Sequence, residues 1–341
     1  MAEAMSPEVA ASRLMEMTIA HWAGELLLQA AQMGLADKFT ANEPRRAVDL
    51  ADEYGMRHRE FYRFLRALAG LGLLESAADG SFRLTDLGAA LRSGAPGAAR
   101  SAVIAMIGDL LKPAWKQFDH GLVTGDPGFE KAHGKSVFEY LHDNPGMAKF
   151  FSETMVGFHG REPPAVAEAY DFSSLGSLVD VGGATGNMLG HVLSRHVGVK
   201  GVLYDLPHVV ADAPPLLANH GVADRVAIES GSFFDSVPAG HDAYLLSHII
   251  HDWDDAENAT ILKNVREAMK PDGKLLIVET VLPEGDEPHM GKMLDMIMLL
   301  APGGEERTAS EYAKLLEPNG FRVTRVVPTA SAVSVVEAVR A

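Results

Sequence analysis

Apolar residues follow two different patterns along this 341-residue chain. Over residues 12–172 they recur with helical spacing between short polar breaks, which predicts a mainly helical part. From Leu175 onward, short apolar runs alternate with helical stretches, which predicts successive strand and helix units. We therefore expect two domains, residues 1–172 and 173–341.

Seven short apolar runs predict strands in the second domain. Because helical patterns fill the intervals, we expect a doubly wound α/β sheet with helices on both faces. Ligands bind such a sheet at the carboxyl ends of its strands. The predicted strands cover residues 178–181, 202–204, 226–229, 243–247, 274–278, 322–328 and 333–339.

The first domain contains the order helix, turn, helix, hairpin, which is typical of a winged helix. Residues 47–53 and 59–70 predict the two helices, and residues 71–75 and 80–84 predict the hairpin. This pattern also indicates a second candidate class of function, a DNA-binding regulator.

Three arginines favour that second class, and the charge of the chain argues against it. Arg59, Arg63 and Arg66 share one face of the second predicted helix. Acidic residues surround them, however, and the formal net charge of −16 repels a polyanion. We therefore expect no nucleic-acid partner and interpret the first domain as a dimerisation or substrate-lid scaffold.

The composition limits which residue types can be catalytic and indicates the cellular compartment. The chain has no cysteine, so disulfides, thiolate metal sites and cysteine nucleophiles are excluded. No apolar run approaches the roughly 18 to 20 residues that span a bilayer, and residues 1–17 lack the pattern of a secretory leader. We expect a cytoplasmic protein with no membrane partner, whose catalysis uses His, Asp, Glu, Ser or Tyr.

A glycine loop follows the first strand of the second domain. The apolar run ending at Val181 breaks into Gly182-Gly183-Ala184-Thr185-Gly186 and resumes as a helical pattern. A strand feeding a helix through glycines brings backbone N–H groups and the positive end of the helix dipole to a ligand. A dinucleotide loop has glycine at its first, third and sixth positions, whereas Ala184 and Asn187 occupy two of them here.

An acidic residue follows the next strand at the distance expected for a nucleoside site. Asp205 ends the run 201–205, and its carboxylate suits the hydroxyls of a ribose. NAD and S-adenosylmethionine both contain such a ribose. The glycine loop and Asp205 together therefore predict a nucleoside-containing cofactor.

Ionisable residues follow the strand at 243–247, where catalysis is expected. His251 is the candidate general base because of this position. Metal binding by His248, His251, Asp252 and Asp254 is an alternative. Beyond the two histidines, however, no residue has the clear spacing of a third ligand. Glu279 and Glu306 follow later elements, and a carboxylate on one imidazole nitrogen would leave the other free to act as base.

Five segments in order resemble the S-adenosylmethionine-dependent O-methyltransferases of the caffeic acid O-methyltransferase type, which include bacterial antibiotic-tailoring enzymes. The resemblance covers nearly the whole chain. It implies a Rossmann-like methyltransferase sheet and a helical, winged-helix-like N-terminal dimerisation domain, hence a homodimer. The segments are Gly182-Gly183-Ala184-Thr185-Gly186, Asp205-Leu206-Pro207-His208, Gly231-Ser232-Phe233-Phe234, His251-Asp252-Trp253 and Gly303-Gly304-Glu305-Glu306-Arg307-Thr308.

The resemblance also implies residue roles and a metal-free reaction. S-adenosylmethionine is the implied cofactor, and an aromatic small molecule is the implied substrate. The implied catalytic residues are His251 as base with Glu279 and Glu306 orienting it; the cofactor-binding residues are Gly182, Asp205, Ser232, Phe233 and Ser247; the substrate-binding residues are Phe151, Met155, Asp252 and Met298.

Three positions depart from the family pattern. Ala184 replaces a common glycine, which is tolerated if its φ is negative. Ser232 replaces an acidic residue, and Ser247 replaces a basic one, so two contacts to the cofactor are weakened.

The acceptor is expected to be a phenol or an enol. A phenol of pKa about 10 and a histidine of pKa about 6.5 differ by roughly 5 kcal/mol in proton affinity, which proton transfer during attack can overcome. An aliphatic alcohol is far harder to deprotonate. N-methylation, or a relative that binds the cofactor without transferring methyl, remains an alternative.

Overall fold

The computed structural model describes residues 5–40 and 43–341. Residues 1–4, part of the segment that lacks a leader pattern, lie outside this description, as do residues 41–42. The chain forms two compact units. The first contains residues 1–116 and 138–160, and the second contains residues 117–137 and 161–341. Residues 117–137 and 161–172 therefore group with the sheet-containing unit, whereas the apolar pattern assigned them to the helical part.

The first unit is built from helices around a small antiparallel sheet, in which β1, β3 and β2 pair in that order. Helices α1 and α10 both pack against α5. Its elements are α1 (Pro7–Gln32), β1 (Arg45–Arg46), α2 (Ala47–Glu53), α3 (His58–Gly70), β2 (Leu74–Ser76), β3 (Ser81–Leu84), α4 (Asp86–Ala89), α5 (Ala99–Ile107), α6 (Lys112–Trp115), α9 (Val137–Asp143, which begins at the last residue of the second unit's 117–137 segment) and α10 (Pro145–His159).

The predicted order of helix, helix and hairpin is present in the first unit. Helices α2 and α3 lie within a residue of their predicted bounds, and β2 and β3 form an antiparallel pair. The apolar face of α3, with Phe61, Leu65 and Leu68, is buried in the core of this unit. Arg59, Arg63 and Arg66 are exposed on the opposite face, as the amphipathic spacing requires.

The second unit alternates strands and helices around a seven-stranded sheet. Its elements are α7 (Phe118–Thr124), α8 (Gly128–His133), α11 (Glu162–Ala169), β4 (Ser177–Val181), α12 (Asn187–Arg195), β5 (Lys200–Asp205), α13 (Pro207–Val210), α14 (Ala213–Asn219), β6 (Val226–Ser230), β7 (Ala243–Ser247), α15 (Asp255–Ala268), β8 (Lys274–Glu279), β9 (Val281–Leu282), α16 (Gly291–Leu300), β10 (Arg307–Thr308), α17 (Ala309–Leu316), β11 (Phe321–Pro328) and β12 (Ser334–Arg340).

The strand order of this sheet is β11-β12-β8-β7-β4-β5-β6. Strands β4 to β8 run parallel, and β12 inserts antiparallel between β8 and β11. The chain proceeds outward from β4 to β6 and then returns to place β7 on the other side of β4. This reversal opens a crevice at the carboxyl ends of β4 and β7, where ligands bind in such sheets.

Two apolar layers bury the sheet on both faces, as the alternation of strands and helices predicts. Leu178 and Leu245 face the layer beneath α11, α12 and α14, while Val179 and Leu246 face the layer beneath α15 and α17. The period of two along each strand produces this division. Burial of each large apolar side chain contributes about 1.5 to 3 kcal/mol.

A buried carboxylate network fixes the end of the sheet opposite this crevice. Glu337 on β12 accepts hydrogen bonds from the Lys274 ammonium, the Arg325 guanidinium and the Tyr170 hydroxyl. Burial alone raises the pKa of Glu337, but these bonds and one from Thr324 lower it to about 2. The charged form is therefore the stable one at neutral pH.

Within the described ranges, each helix is too short or too polar to cross a membrane.

Candidate active site

The glycine loop after β4 is fixed by the neighbouring strand β5. Gly182 and Gly186 have φ of +70° and +85°, which glycine adopts without strain. The N–H groups of Gly182 and Gly183 both donate to the Tyr204 carbonyl, at 2.8 and 3.3 Å. These two N–H groups therefore bond to β5 and are not available to a ligand.

The condition stated for Ala184 is not met. Its φ is +49°, in the left-handed region rather than at negative values. The Ala184 N–H donates to Oδ2 of Asp205 at 2.8 Å, and this bond accompanies the left-handed geometry. The methyl group thus costs some strain where the family often has glycine.

Asp180 lies beside the glycine loop and was not among the residues predicted from the sequence. Its carboxylate lies directly beneath the loop, since a Cβ atom on Gly183 would be 2.6 Å from it. Asp180 is buried, and neither oxygen has a hydrogen-bond partner of good geometry among the described residues. Burial raises the pKa of Asp180 to about 7, against a smaller opposing effect from the backbone N–H of Leu189. The available signal was a lone charge inside an apolar strand.

Asp205 ends β5 at the edge of the same crevice. Its Oδ1 accepts the N–H of Leu206 at 2.7 Å, so both carboxylate oxygens are oriented by backbone donors. The Gly231 N–H donates to the Asp205 carbonyl at 3.1 Å, which brings the segment with Ser232 and Phe233 beside it. Ser247 is the last residue of β7, and it lies opposite Val278 of β8.

An aromatic cluster lies next to the glycine loop. The rings of Phe233 and Phe234 lie 6.1 and 4.8 Å from Trp253, both edge to face. A Cβ atom on Gly182 would meet Phe233 at 3.5 Å and Ile249 at 2.4 Å. Phe233, one of the predicted cofactor-binding residues, is therefore adjacent to the loop.

His251 lies on a 3₁₀ turn, Ile250–Asp252, just after β7. Glu279, the last residue of β8, is fully buried, and its Oε1 accepts the N–H groups of both Ile249 and His251, at 3.1 and 3.2 Å. The other oxygen of Glu279 accepts the Tyr312 hydroxyl. Glu279 thus orients the main chain of His251 rather than its imidazole.

Glu306 contacts the imidazole itself. Its Oε1 lies 2.7 Å from Nδ1 of His251, and the Glu306 side chain is 0% exposed. A carboxylate at this distance accepts a hydrogen bond from Nδ1–H. The proton of the neutral ring therefore lies on Nδ1, and Nε2 carries none. The Glu306 N–H in turn donates to Asp295 on α16.

The loop with Glu306 also lies against the backbone of the turn. A Cβ atom on Gly304 would be 1.8 Å from the His251 carbonyl oxygen, so only glycine fits there. Arg307, buried between Asp255 and Glu305, forms ion pairs of 3.1 and 2.9 Å with them and anchors the same loop.

The electrostatics of His251 result from opposing effects. Burial favours the neutral ring, but the hydrogen bond to Glu306 and the negative charges of Asp252, Glu279 and Glu306 raise the pKa of His251 to about 10. Burial raises the pKa of Glu306, and His251 acts in the opposite direction. The pair therefore binds a proton tightly in the absence of ligands.

The remaining predicted residues lie in both units. Asp252 places Oδ1 3.6 Å from Nε2 of His251, and Met298 is buried on α16 in the same unit. Phe151 and Met155 are half-buried on α10 in the first unit, one helical turn apart. Asp254, part of the alternative metal set, caps α15 by accepting the Glu257 N–H at 2.8 Å.

The site combines the buried His251–Glu306 pair with the glycine loop and with Asp205, whose carboxylate suits the hydroxyls of a ribose. His251, the loop and Asp205 lie at the ends of the neighbouring strands β7, β4 and β5. Such a pair can accept a proton at Nε2 while Glu306 stabilises the charged ring. The arrangement suits proton removal from a substrate next to a bound nucleoside.

Comparisons with known proteins identify the family of this site. Residues 115–322 match the O-methyltransferase domain, and residues 15–94 match the O-methyltransferase dimerisation domain. Phenazine O-methyltransferase PhzM of Lysobacter antibioticus is 42% identical over 96% of this chain and 95% of its own length. O-demethylpuromycin-O-methyltransferase of Streptomyces alboniger is 39% identical over 93% of this chain and 85% of its own length. An 8-amino-8-demethylriboflavin N,N-dimethyltransferase of Streptomyces davaonensis is 32% identical over 96% and 95%.

Solved structures give the same result. The mitomycin 7-O-methyltransferase MmcR superimposes with a TM-score of 0.89 at 33% identity, over 97% of this chain and 98% of that one. CalO1, a methyltransferase of calicheamicin biosynthesis in its SAH-bound form, gives 0.82 at 34% identity over 99% and 100%. The chain therefore belongs to the O-methyltransferase family and is a methyltransferase.

Proposed function

We propose that this enzyme transfers a methyl group from S-adenosylmethionine to a phenolic hydroxyl of an aromatic small molecule, with His251 as the general base. The observation that supports this most is the buried contact of 2.7 Å between Nδ1 of His251 and Glu306, at the carboxyl end of the central strands. Two of the relatives named above are a phenazine O-methyltransferase and an O-demethylpuromycin-O-methyltransferase.

The residues around the glycine loop fit this cofactor. Asp180 is a buried carboxylate without a good partner among the described residues, and it suits the α-ammonium of the methionine part together with loop carbonyls. Asp205 would bind the ribose hydroxyls, and Ser232 and Phe233 would flank the adenine. When bound, the cofactor supplies a methyl group already activated by its sulfonium.

His251 accounts for the proton. A hydroxyl facing Nε2 can transfer its proton to that nitrogen, and Glu306 then stabilises the imidazolium through Nδ1. The raised pKa of His251 brings its proton affinity closer to that of a phenol than the affinity of an ordinary histidine is. The ring must be neutral to accept a proton, so a positively charged ligand beside it, which lowers its pKa, favours the active form.

We further propose that Met298 and Asp252 contact the acceptor. The supporting features are the position of Asp252 at 3.6 Å from Nε2 of His251 and the apolar character of Met298. A substrate-binding role of Phe151 and Met155 stays a prediction of the sequence. A metal takes no part in this scheme. A cytoplasmic location stays a prediction of the sequence.

The dimerisation domain supports a homodimer. Helix α1 exposes large apolar side chains along its length in the single chain, and a second copy of the chain would cover them. They include Val9, Leu14, Met15, Met17, Ile19 and Trp22.

Incubation with S-adenosylmethionine and a panel of phenols tests the reaction, with a mass gain of one methylene as the readout. His251→Ala and His251→Asn should lower kcat by about 10²- to 10⁴-fold while calorimetric affinity for S-adenosylhomocysteine stays within about threefold. Full turnover in either variant contradicts the role of the base. Activity that is lost in chelator and restored by magnesium contradicts the metal-free scheme.

N-methylation is a second candidate because one relative of 32% identity is named as an N,N-dimethyltransferase. A neutral aromatic amine attacks without losing a proton first, so its methylation should depend little on His251. Matched phenol and aniline acceptors, each tested with wild type and His251→Ala, separate the two reactions.

A further inference from the structure

His248 has an unusual backbone conformation three residues before the base. Its φ is +55°, and the other non-glycine residues with positive φ in the described ranges are both alanines. A bulky residue adopts this left-handed conformation only where its surroundings fix it, and such residues cluster at functional sites.

A buried contact fixes the His248 side chain. Its Nε2 lies 2.7 Å from Oε2 of Glu162, and the two side chains are 16% and 5% exposed. Glu162 is the first residue of α11, where the helix dipole favours a negative charge. Helix α11 packs on α12, the helix that follows the glycine loop.

The backbone around His248 sets the direction of the turn that contains the base. The His248 N–H still pairs with the Val278 carbonyl of β8, at 3.2 Å. Directly after this last ladder bond, the N–H groups of Ile249 and His251 converge on one oxygen of Glu279. The left-handed residue thus lies where the chain changes from strand to turn, and its ring centre is 5.1 Å from that of His251.

We infer that His248, paired with Glu162, is a positioning residue that sets the turn at 249–252 so that His251 meets both Glu279 and Glu306. The inference rests on the proposed function only in taking His251 as the base. His248 itself exchanges no proton with the substrate; its contact with Glu162 stabilises a left-handed backbone that the turn requires.

Paired substitutions separate this role from general stability. His248→Ala and Glu162→Ala remove the contact and should each lower kcat by at least about tenfold, since small misplacements of a base are costly. His248→Gln and Glu162→Gln keep a donor and an acceptor at similar reach and should stay within about threefold of wild type. The double alanine variant should be no worse than either single one. Glu168→Ala, an exposed position on the same helix, is the control. Rates are expressed per S-adenosylhomocysteine site titrated, so unfolded protein is not counted.

Two further readouts distinguish a positioning role of His248 from an electrostatic one. If His248 acts by its charge instead, Glu162→Gln will shift the acidic limb of the pH–rate profile; a positioning role leaves the limb in place and lowers only the plateau in the alanine variants. Amide exchange needs no turnover: the N–H groups of Ile249 and His251 should exchange faster in His248→Ala and not in His248→Gln.

Unchanged exchange and unchanged kcat in His248→Ala would overturn the inference. A wild-type enzyme that methylates no phenol would count against the proposed function, while the exchange result would still decide the role of His248.

Discussion

Glu306 places a carboxylate oxygen 2.7 Å from Nδ1 of His251, and neither side chain is more than 7% exposed. This contact both orients the imidazole and raises its pKa, together with the charges of Asp252 and Glu279. The two consequences have different signatures in the pH dependence of the rate, so substitution of Glu306 can separate them.

Glu306→Gln should keep an acceptor for the Nδ1 proton while removing the charge. The pKa of His251 should then fall, so the acidic limb of the kcat/KM profile, which reports the neutral ring, should move to lower pH. Because the base becomes weaker, we expect the plateau to fall by about 10- to 100-fold. The measurement is the pH–rate profile with a single phenol.

Glu305→Gln is the matched control for that experiment, because Glu305 is exposed and pairs with Arg307 rather than with the imidazole. The acidic limb of the kcat/KM profile of Glu305→Gln should coincide with that of wild type. A Glu306→Gln profile whose limb stays in place would show that Glu306 does not set the pKa of the base.

Asp180→Asn tests the buried carboxylate beneath the loop. The pKa of Asp180 is raised to about 7 in the folded chain, against about 3.9 when unfolded. Folding thus takes up a proton between these values, and wild type loses stability as pH rises from about 4 through 7, by at most about 4 kcal/mol. Asparagine cannot ionise, so the variant should unfold at higher temperature than wild type at pH 8 and at a similar temperature at pH 4.

The same variant should bind S-adenosylhomocysteine more weakly at pH 8, because the α-ammonium loses its carboxylate. Calorimetry at pH 8 measures this loss, and Asp212→Asn, outside the strand and exposed, is the control. Tighter binding alongside the gain in stability would remove Asp180 from the cofactor site.

The strands of the sheet could be predicted because their signal is local. Short apolar runs bounded by polar and glycine residues have the period and length of buried strands, and each of the seven strands of the large sheet lies within about two residues of its predicted bounds. The insertion of β12 between β8 and β11 could not be predicted, since strand order depends on long-range pairing rather than on periodicity.

The site could be predicted in its residue types but not in its contacts. The strand ends and the family resemblance predict that Glu279 and Glu306 lie near His251, yet only the three-dimensional arrangement shows that Glu279 bonds main-chain N–H groups and Glu306 the ring. The left-handed conformations of Ala184 and His248 also escape prediction, because they depend on contacts with Asp205 and Glu162 rather than on propensity.

Trp22→Glu tests the proposed dimer. Trp22 is 60% exposed on α1 in the single chain, within the region that matches the dimerisation domain. A charge buried in an apolar interface is strongly unfavourable, so the variant should be monomeric at concentrations where wild type is dimeric, as light scattering after gel filtration will show. Val197→Glu, a 76% exposed apolar position outside that region, should remain dimeric. A monomeric wild type would contradict the proposal directly.

Glu337→Gln tests the network at the far end of the sheet. With the pKa of Glu337 lowered to about 2 in the folded chain and near 4.3 when unfolded, ionisation stabilises the fold above about pH 4.3. This contribution is lost as pH falls through 2. We expect the variant to lose about 2 kcal/mol at pH 7 after allowing for partial screening by solvent, measured by urea unfolding.

The difference in the free energy of unfolding between wild type and Glu337→Gln should shrink as pH is lowered from 5 to 3. Over this range Glu337 becomes protonated in wild type, while the variant has nothing to protonate at this site. Glu267→Gln on the exposed side of α15 should change stability little across the same range. Since the network lies at the opposite end of the sheet from His251, kcat of the folded Glu337→Gln enzyme should equal that of wild type. A difference between the two enzymes that is constant from pH 7 to 3 would mean that Glu337 stabilises the sheet by packing and not by its charge.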